Sequence, residues 1–252
     1  MGNAPSAARG GAAAARAVHW DSKTCPYAQR AWIALLMKEV PFTVRVCDLE
    51  NKDAVFKAKY ASLNPLPGAP AKVPILEDAD GAALIESGVI VEYLAARYRG
   101  QGVELVPADA AAAARSRLWA ELFGAWVTAA LFALLQARSA AGVVEGRAAL
   151  AAGLAAADEF LRAHGSDAGG AFVLGAAPSV GDVMTVSFLQ RALVALPAHR
   201  GVDPRALMKE GGLARLEAWA DAVLALPAAR ETKPADAIII ASLAKFVAPL
   251  EG

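Results

Sequence analysis

The sequence predicts two domains, a small α/β domain on a mixed sheet and then an all-α helical domain. Three observations predict this. Up to about residue 102, short β-branched or alternating runs take turns with helical periods. Beyond residue 107 every apolar pattern has the helical period. Between them, residues 100–107 carry Gly100, Gly102 and Pro107, a change of composition that marks a boundary. A length of 252 residues suits two such units.

Residues 17–20, AVHW, form a short strand that runs into Thr24-Cys25-Pro26. Pro26 suits a first helical position, where its missing N–H had no intrahelical partner to lose. Ala31, Ile33, Ala34, Leu35 and Met37 carry that helix to about residue 39. FTVRVCDL, 42–49, alternates as a second strand with Phe42, Val44 and Val46 on one face and Cys47 on the other. A short helix covers 52–60, and the loop NPLPGAPAK leads into a third strand opening at Val73-Pro74. A turn at 78–81 makes a hairpin with 82–86. Ser87 then caps a helix reaching residue 98. The order is β-α-β-α-β-β-α.

The second half is helical with breaks at 141–143, 165–170, 176–178, 197–204 and 227. Ser179-Val180-Gly181-Asp182 has the form of a capping box, with a hydroxyl at the cap and a carboxylate three residues on. It opens a core helix over 180–195 and is a folding element. The expected domain limits are a disordered tail at 1–16, the α/β domain at 17–102 and the helical domain at 107–250.

Composition excludes several classes. Lys and Arg number 25, as do Asp and Glu, so the chain has no electrostatic footprint for nucleic acid. Two cysteines, Cys25 and Cys47, make no disulfide framework and suit a reducing, cytoplasmic setting. His19, His164 and His199 are scattered without metal-ligand spacing, so no metal is expected. The apolar run 122–135 is shorter than the ~20 residues of a transmembrane helix. The acid-free tail also fits a plastid-type leader, and Met1-Gly2 with Ser6 fits the minimal N-myristoylation pattern.

Cys25 carries the chemistry. A free cysteine is ordinarily a small hydrophobe. At a helix N-terminus, however, its sulfur faces unpaired N–H groups and the positive end of the dipole, which favours a thiolate with a pKa of about 3.5–7.5. Dithiol oxidoreductases place a second cysteine three residues on. Here Ala28 stands there, so a mixed disulfide at Cys25 needs an outside thiol to resolve it.

The element order, the cysteine turn and the Val-Pro opening resemble a thioredoxin-type fold. With the all-α second half, the chain resembles the soluble glutathione transferases over residues 18–246. The matched pieces are Cys25-Pro26-Tyr27-Ala28-Gln29-Arg30, Lys52, Val73-Pro74, Glu86-Ser87, and Ser179 with Asp182. They look most like the cysteine-dependent omega and lambda classes, though the loop 64–72 is a few residues longer than the family's. The resemblance implies glutathione as co-substrate and Cys25 as the catalytic residue. Lys52 would meet the glycyl carboxylate, the Val73 backbone before a cis Pro74 the cysteinyl part, and Glu86 and Ser87 the γ-glutamyl end. Tyr27, Phe123 and Trp126 are acceptor-site candidates, while Trp119, Phe188 and Trp219 read as core and Gln29 and Arg30 as structural. The implied activity is thiol transfer or deglutathionylation, with small disulfides, glutathionyl conjugates or dehydroascorbate as substrates. A non-catalytic carrier or interaction protein, like the chloride-intracellular-channel family, is the alternative. Either a monomer or a homodimer fits.

Overall fold

The computed structural model describes residues 16–165 and 169–251. The expected tail therefore lies outside the described residues, save Arg16. Strands β1 (Ala17–Asp21), β2 (Phe42–Val46), β3 (Ile75–Glu77) and β4 (Ala83–Ile85) form one sheet in the order β2-β1-β3-β4. β1 and β2 are parallel, with Ala17 opposite Phe42, which requires a crossover, and helix α1 (Pro26–Met37) supplies it. β3 runs antiparallel to β1 and pairs with β4 as a hairpin, Leu76 lying opposite both His19 and Leu84.

The period of two along β1 divides the packing. On one face, Ala17 and Leu76 pack with Ile33, Leu35 and Ile90 of α1 and of α3 (Ser87–Arg97), in a core continuous with the helical domain. On the other face, Trp20 and Ile75 pack with Phe56 and Tyr60 of α2 (Ala54–Leu63), and Cys47 joins this smaller cluster. β2 is shorter than its alternation suggests. It is an edge strand whose Val44 and Val46 are 37% and 63% exposed, since no helix covers that margin.

The second domain comprises α4 (Ala110–Phe123), α5 (Ala129–Gln136), α6 (Ala140–His164), α7 (Val180–Arg200), α8 (Pro204–Glu210), α9 (Ala214–Ala225), α10 (Pro227–Thr232) and α11 (Asp236–Leu243). α7 is the axis and packs against α1, α3, α4, α5, α9 and α11. The capping box forms, Asp182 accepting the Ser179 N–H at 2.7 Å. α7 passes through the expected break at Pro197, which falls in its last turn, and stops at Gly201. Likewise α6 begins before 141–143, with the Ser139 hydroxyl capping Gly142 at 3.1 Å.

A π-helical turn, Gly124–Thr128, joins α4 to α5 without a break. An 18-residue window of the resulting stretch Ala110–Gln136 reaches a mean hydropathy of 1.7, so the stretch is long and apolar enough to cross a membrane, as is α6. Its apolarity has an internal use, because Trp119, Phe123, Val127, Leu131 and Leu134 are all buried in the helical core. The π-helical turn lies so close to α6 that a Cβ on Gly153 would stand 2.5 Å from the Trp126 carbonyl oxygen.

The passage between domains is bonded to the end of α1. Val103 N–H donates to Met37 O at 2.8 Å, buried Lys38 Nζ donates to Val103 O at 2.9 Å, and Gln101 Nε2 donates to Lys38 O at 2.8 Å. Gly102 is required there. Its φ is +56°, and a Cβ would fall 2.3 Å from Met37 O.

Candidate active site

β1 ends at Asp21, and the turn that follows brings Cys25 to the N-cap of α1, its N–H donating to Ser22 O at 2.8 Å. Pro26 takes the first helical position, as expected. Cys25 is a free, half-buried thiol whose sulfur faces the Tyr27 and Ala28 amides without completing a cap hydrogen bond to either. Those amides and the Arg191 guanidinium draw the thiol pKa down. Burial pushes it up by more, with Asp21 adding to the rise, so the net direction is upward. The expected depressed thiol is therefore not what the ligand-free geometry gives. The helix-terminus argument omitted desolvation, since Cys25 packs against the cluster of Trp20, Ala28, Cys47 and Val73 in its own domain.

Beside the thiol turn is a cavity of about 290 Å³ lined by Tyr27, Tyr60, Lys72, Val73, Pro74, Glu86 and Ser87. The sequence grouped five of these, and the Val73–Pro74 bond is cis as the resemblance implied. Tyr60 and Lys72 were not anticipated. The cap of α3 is one residue earlier than expected: Glu86, at φ 69°, is the N-cap and buried Ser87 the first helical residue. The left-handed turn at Glu86 ends β4 and aims the α3 N-terminus, with its unpaired amides, at this cavity. Lys52 does not line the cavity. It is half-buried just ahead of Asp53, the N-cap of α2, which accepts the Phe56 N–H at 2.7 Å.

A second cavity, about 590 Å³, has Ser22, Thr24, Cys47 and Leu49 on one wall and Ile238, Ala241, Ser242 and Lys245 on the other. Thr24 belongs to this cavity and Tyr27 to the first; Cys25, which lies between them in the chain, lines neither. Phe123 and Trp126 line neither. Phe123 is buried with its ring 5.5 Å from both Trp119 and Trp219, and half-buried Trp126 packs on Phe160. Helical period identifies a buried face without saying which neighbour it meets. Tyr27, 47% exposed, lines the smaller cavity with Val73, Glu86 and Ser87, not the larger one.

Sequence reasoning missed a polar network between the domains. Buried Gln29 donates through Nε2 to Gln190 Oε1 at 2.8 Å and to Thr232 Oγ1 at 3.1 Å, while its Oε1 accepts from Arg191. Arg191 also donates to Ser187 O at 3.1 Å and to Thr24 O at 3.4 Å. Arg30 donates to Met184 O at 2.7 Å and to Ser87 Oγ at 3.3 Å, between the rings of Tyr27 and Phe188. Burial lowers the pKa of both guanidinium groups to about 10. The available signal was an arginine inside the otherwise apolar stretch VSFLQRALVAL, where an exposed charge has no place.

Residues 24–97 match the glutathione S-transferase N-terminal domain and residues 112–222 the glutathione S-transferase C-terminal domain. Among curated proteins, the chain is similar to glutathione S-transferase omega-1 of Sus scrofa, 32% identical over 90 residues, or 36% of this chain and 33% of that protein. It is also similar to the chloroplastic glutathione S-transferase L2 of Arabidopsis thaliana, 37% identical over 81 residues, or 31% and 25% of the two chains. The alignments thus span only a third and a quarter of those relatives' lengths. Among solved structures, glutathione transferase Omega 2C from Trametes versicolor superposes with a TM-score of 0.73 at 26% identity, covering 92% of this chain and 99% of that one.

Proposed function

The chain belongs to the glutathione S-transferase family, and on that premise we propose that it is a glutathione-dependent thiol transferase working through Cys25. The observation that carries this reading is the position of a free thiol at the α1 N-cap, in the turn that contributes Thr24 to the larger cavity and Tyr27 to the smaller, with Ala28 where a resolving thiol would stand.

In this reading glutathione lies across the smaller cavity. The Glu86 carboxylate takes the α-ammonium, and the α3 N-terminus with Ser87 takes the adjacent carboxylate. The Val73 backbone pairs with the cysteinyl amide. Lys52, which has no acidic partner within ion-pair distance among the described residues, reaches the glycyl carboxylate from beyond the rim. The larger cavity holds the other half of the substrate.

The chemistry is two exchanges. The Cys25 thiolate attacks the glutathionyl sulfur of R–S–SG; a Cys25 S–SG bond forms as the S–S bond of the substrate breaks, and RS⁻ leaves with the electron pair and takes up a proton. A second glutathione thiolate then attacks the mixed disulfide, releasing glutathione disulfide and restoring the Cys25 thiolate. With dehydroascorbate the same two glutathiones supply two electrons, and two protons complete ascorbate. Because burial holds the thiol up, the first exchange quickens as pH rises.

The test is reduction of a glutathionyl mixed disulfide and of dehydroascorbate, with the mass of Cys25 followed after glutathione disulfide. Activity is expected in the wild type and absent in Cys25→Ser. Turnover unchanged by that substitution removes the reading. A second reading, a non-catalytic carrier, is favoured by the upward-shifted thiol. It predicts no turnover in either protein, with an apolar ligand bound in the larger cavity.

A further inference from the structure

We propose that Arg191, from the helical domain, is a positioning residue for Cys25, fixing the thiol turn through Thr24 and supplying an unneutralised positive charge to the sulfur. The inference rests on the thiol-transfer reading for its purpose. Its geometry stands apart from that reading.

Arg191 is 2% exposed. A buried charge is ordinarily matched by an opposite one, because an ion taken out of water loses several kcal/mol of hydration. Yet no carboxylate lies within ion-pair distance of Arg191 among the described residues, and its hydrogen bonds go to three neutral oxygens, on Gln29, Ser187 and Thr24. Gln29 is the telling partner. It sits where a carboxylate would neutralise the guanidinium, and it is an amide, itself locked by Gln190 and Thr232. The charge is thus held in place without a direct ion pair, Asp21 being the carboxylate whose field reaches it from a distance.

The contact to Thr24 directs that charge. Thr24 is the residue before Cys25, and its carbonyl is the only part of the thiol turn that Arg191 holds among the described residues. The charged and titratable groups around the sulfur are few. Asp21, with His19 3.5 Å behind it, faces it from β1; Arg30 lies on α1, Glu86 opens α3, and Arg191 faces it from α7, while Glu121 of α4 acts on Arg30. α10 contributes Thr232, which does not titrate. Asp21 opposes ionisation of the thiol and Arg191 favours it. The helical domain thereby offsets part of the effect of burial on the thiol.

The experiment is the pH profile of Cys25 alkylation by iodoacetamide, read by mass spectrometry at the Cys25 peptide so that Cys47 does not interfere. In Arg191→Met the midpoint moves to higher pH by about one unit, so alkylation at neutral pH falls about tenfold. Arg191→Lys restores most of the wild-type profile. Gln29→Glu keeps an acceptor on Arg191 while neutralising it, and moves the midpoint up as well. A folded Arg191→Met with the wild-type midpoint, or Arg191→Lys as shifted as Arg191→Met, overturns the proposal. If Arg191→Met does not fold, Gln29→Glu decides, and an unmoved midpoint there overturns it. The readout needs no glutathione, so failure of turnover leaves this result distinguishable.

Discussion

Replacing Asp182 with alanine should be among the most damaging single changes outside the thiol site. Its carboxylate is fully buried and accepts four hydrogen bonds: Ser179 N–H at 2.7 Å, the Ser179 hydroxyl at 2.8 Å, Trp219 Nε1–H at 2.9 Å and Val173 N–H at 3.1 Å. An ordinary helix cap is worth about 0.5–2 kcal/mol. Alanine here strands three N–H donors and the Ser179 hydroxyl proton away from water, at about 1–3 kcal/mol each, because Ser116 donates to that hydroxyl and accepts nothing from it. A water entering the vacated space would satisfy one or two of them, which leaves a net loss of about 3–5 kcal/mol. Asp182→Asn keeps an acceptor for Trp219 and Val173 and should lose about 1–3 kcal/mol. Equilibrium urea unfolding with unchanged m reads both values from the midpoints. Asp182→Ala within 1 kcal/mol of wild type, or asparagine as costly as alanine, would refute the reasoning.

Two further outcomes concern the thiol site. By isothermal titration, Glu86→Gln and Lys52→Ala should each weaken glutathione binding about tenfold, since each removes one charge-assisted contact, and Lys72→Ala should weaken it less; a dominant Lys72 would reassign the glycyl end. The wild-type Cys25 alkylation rate should climb with pH to a midpoint above the ordinary cysteine value of about 8.5, because burial favours the protonated thiol. A midpoint below that value would show that the helix terminus outweighs burial.

What could be read from the sequence was local. Cys25-Pro26 and the cap of α7 are each decided within a few residues by backbone chemistry and stand where expected, whereas the cis Val73–Pro74 bond was implied by the family resemblance alone. Glu86-Ser87 was right to within one residue, because a left-handed turn at a glutamate has no compositional sign. The network of Gln29, Gln190, Arg191 and Thr232 was not legible. Gln29 lies some 160–200 positions from the other three along the chain and meets them only when the helical domain packs on α1. Burial of the Cys25 thiol, which raises its pKa, is likewise a property of the packed fold that the first turn of α1 read alone does not show. Phe123 and Trp126 failed for a related reason, since periodicity orients a side chain without naming its neighbours.

The stitch that ties Gln101, Gly102 and Val103 to the far end of α1 bears on grafting experiments. A chimera that joins this first half to another protein's helical half by matching spacer length alone would copy the distance and lose the fastening. The helix that starts at Cys25 would then be free to slide beneath its new roof, and the sulfur would go out of line although no residue of its own half had changed. Transplants should carry the three spacer residues together with Lys38.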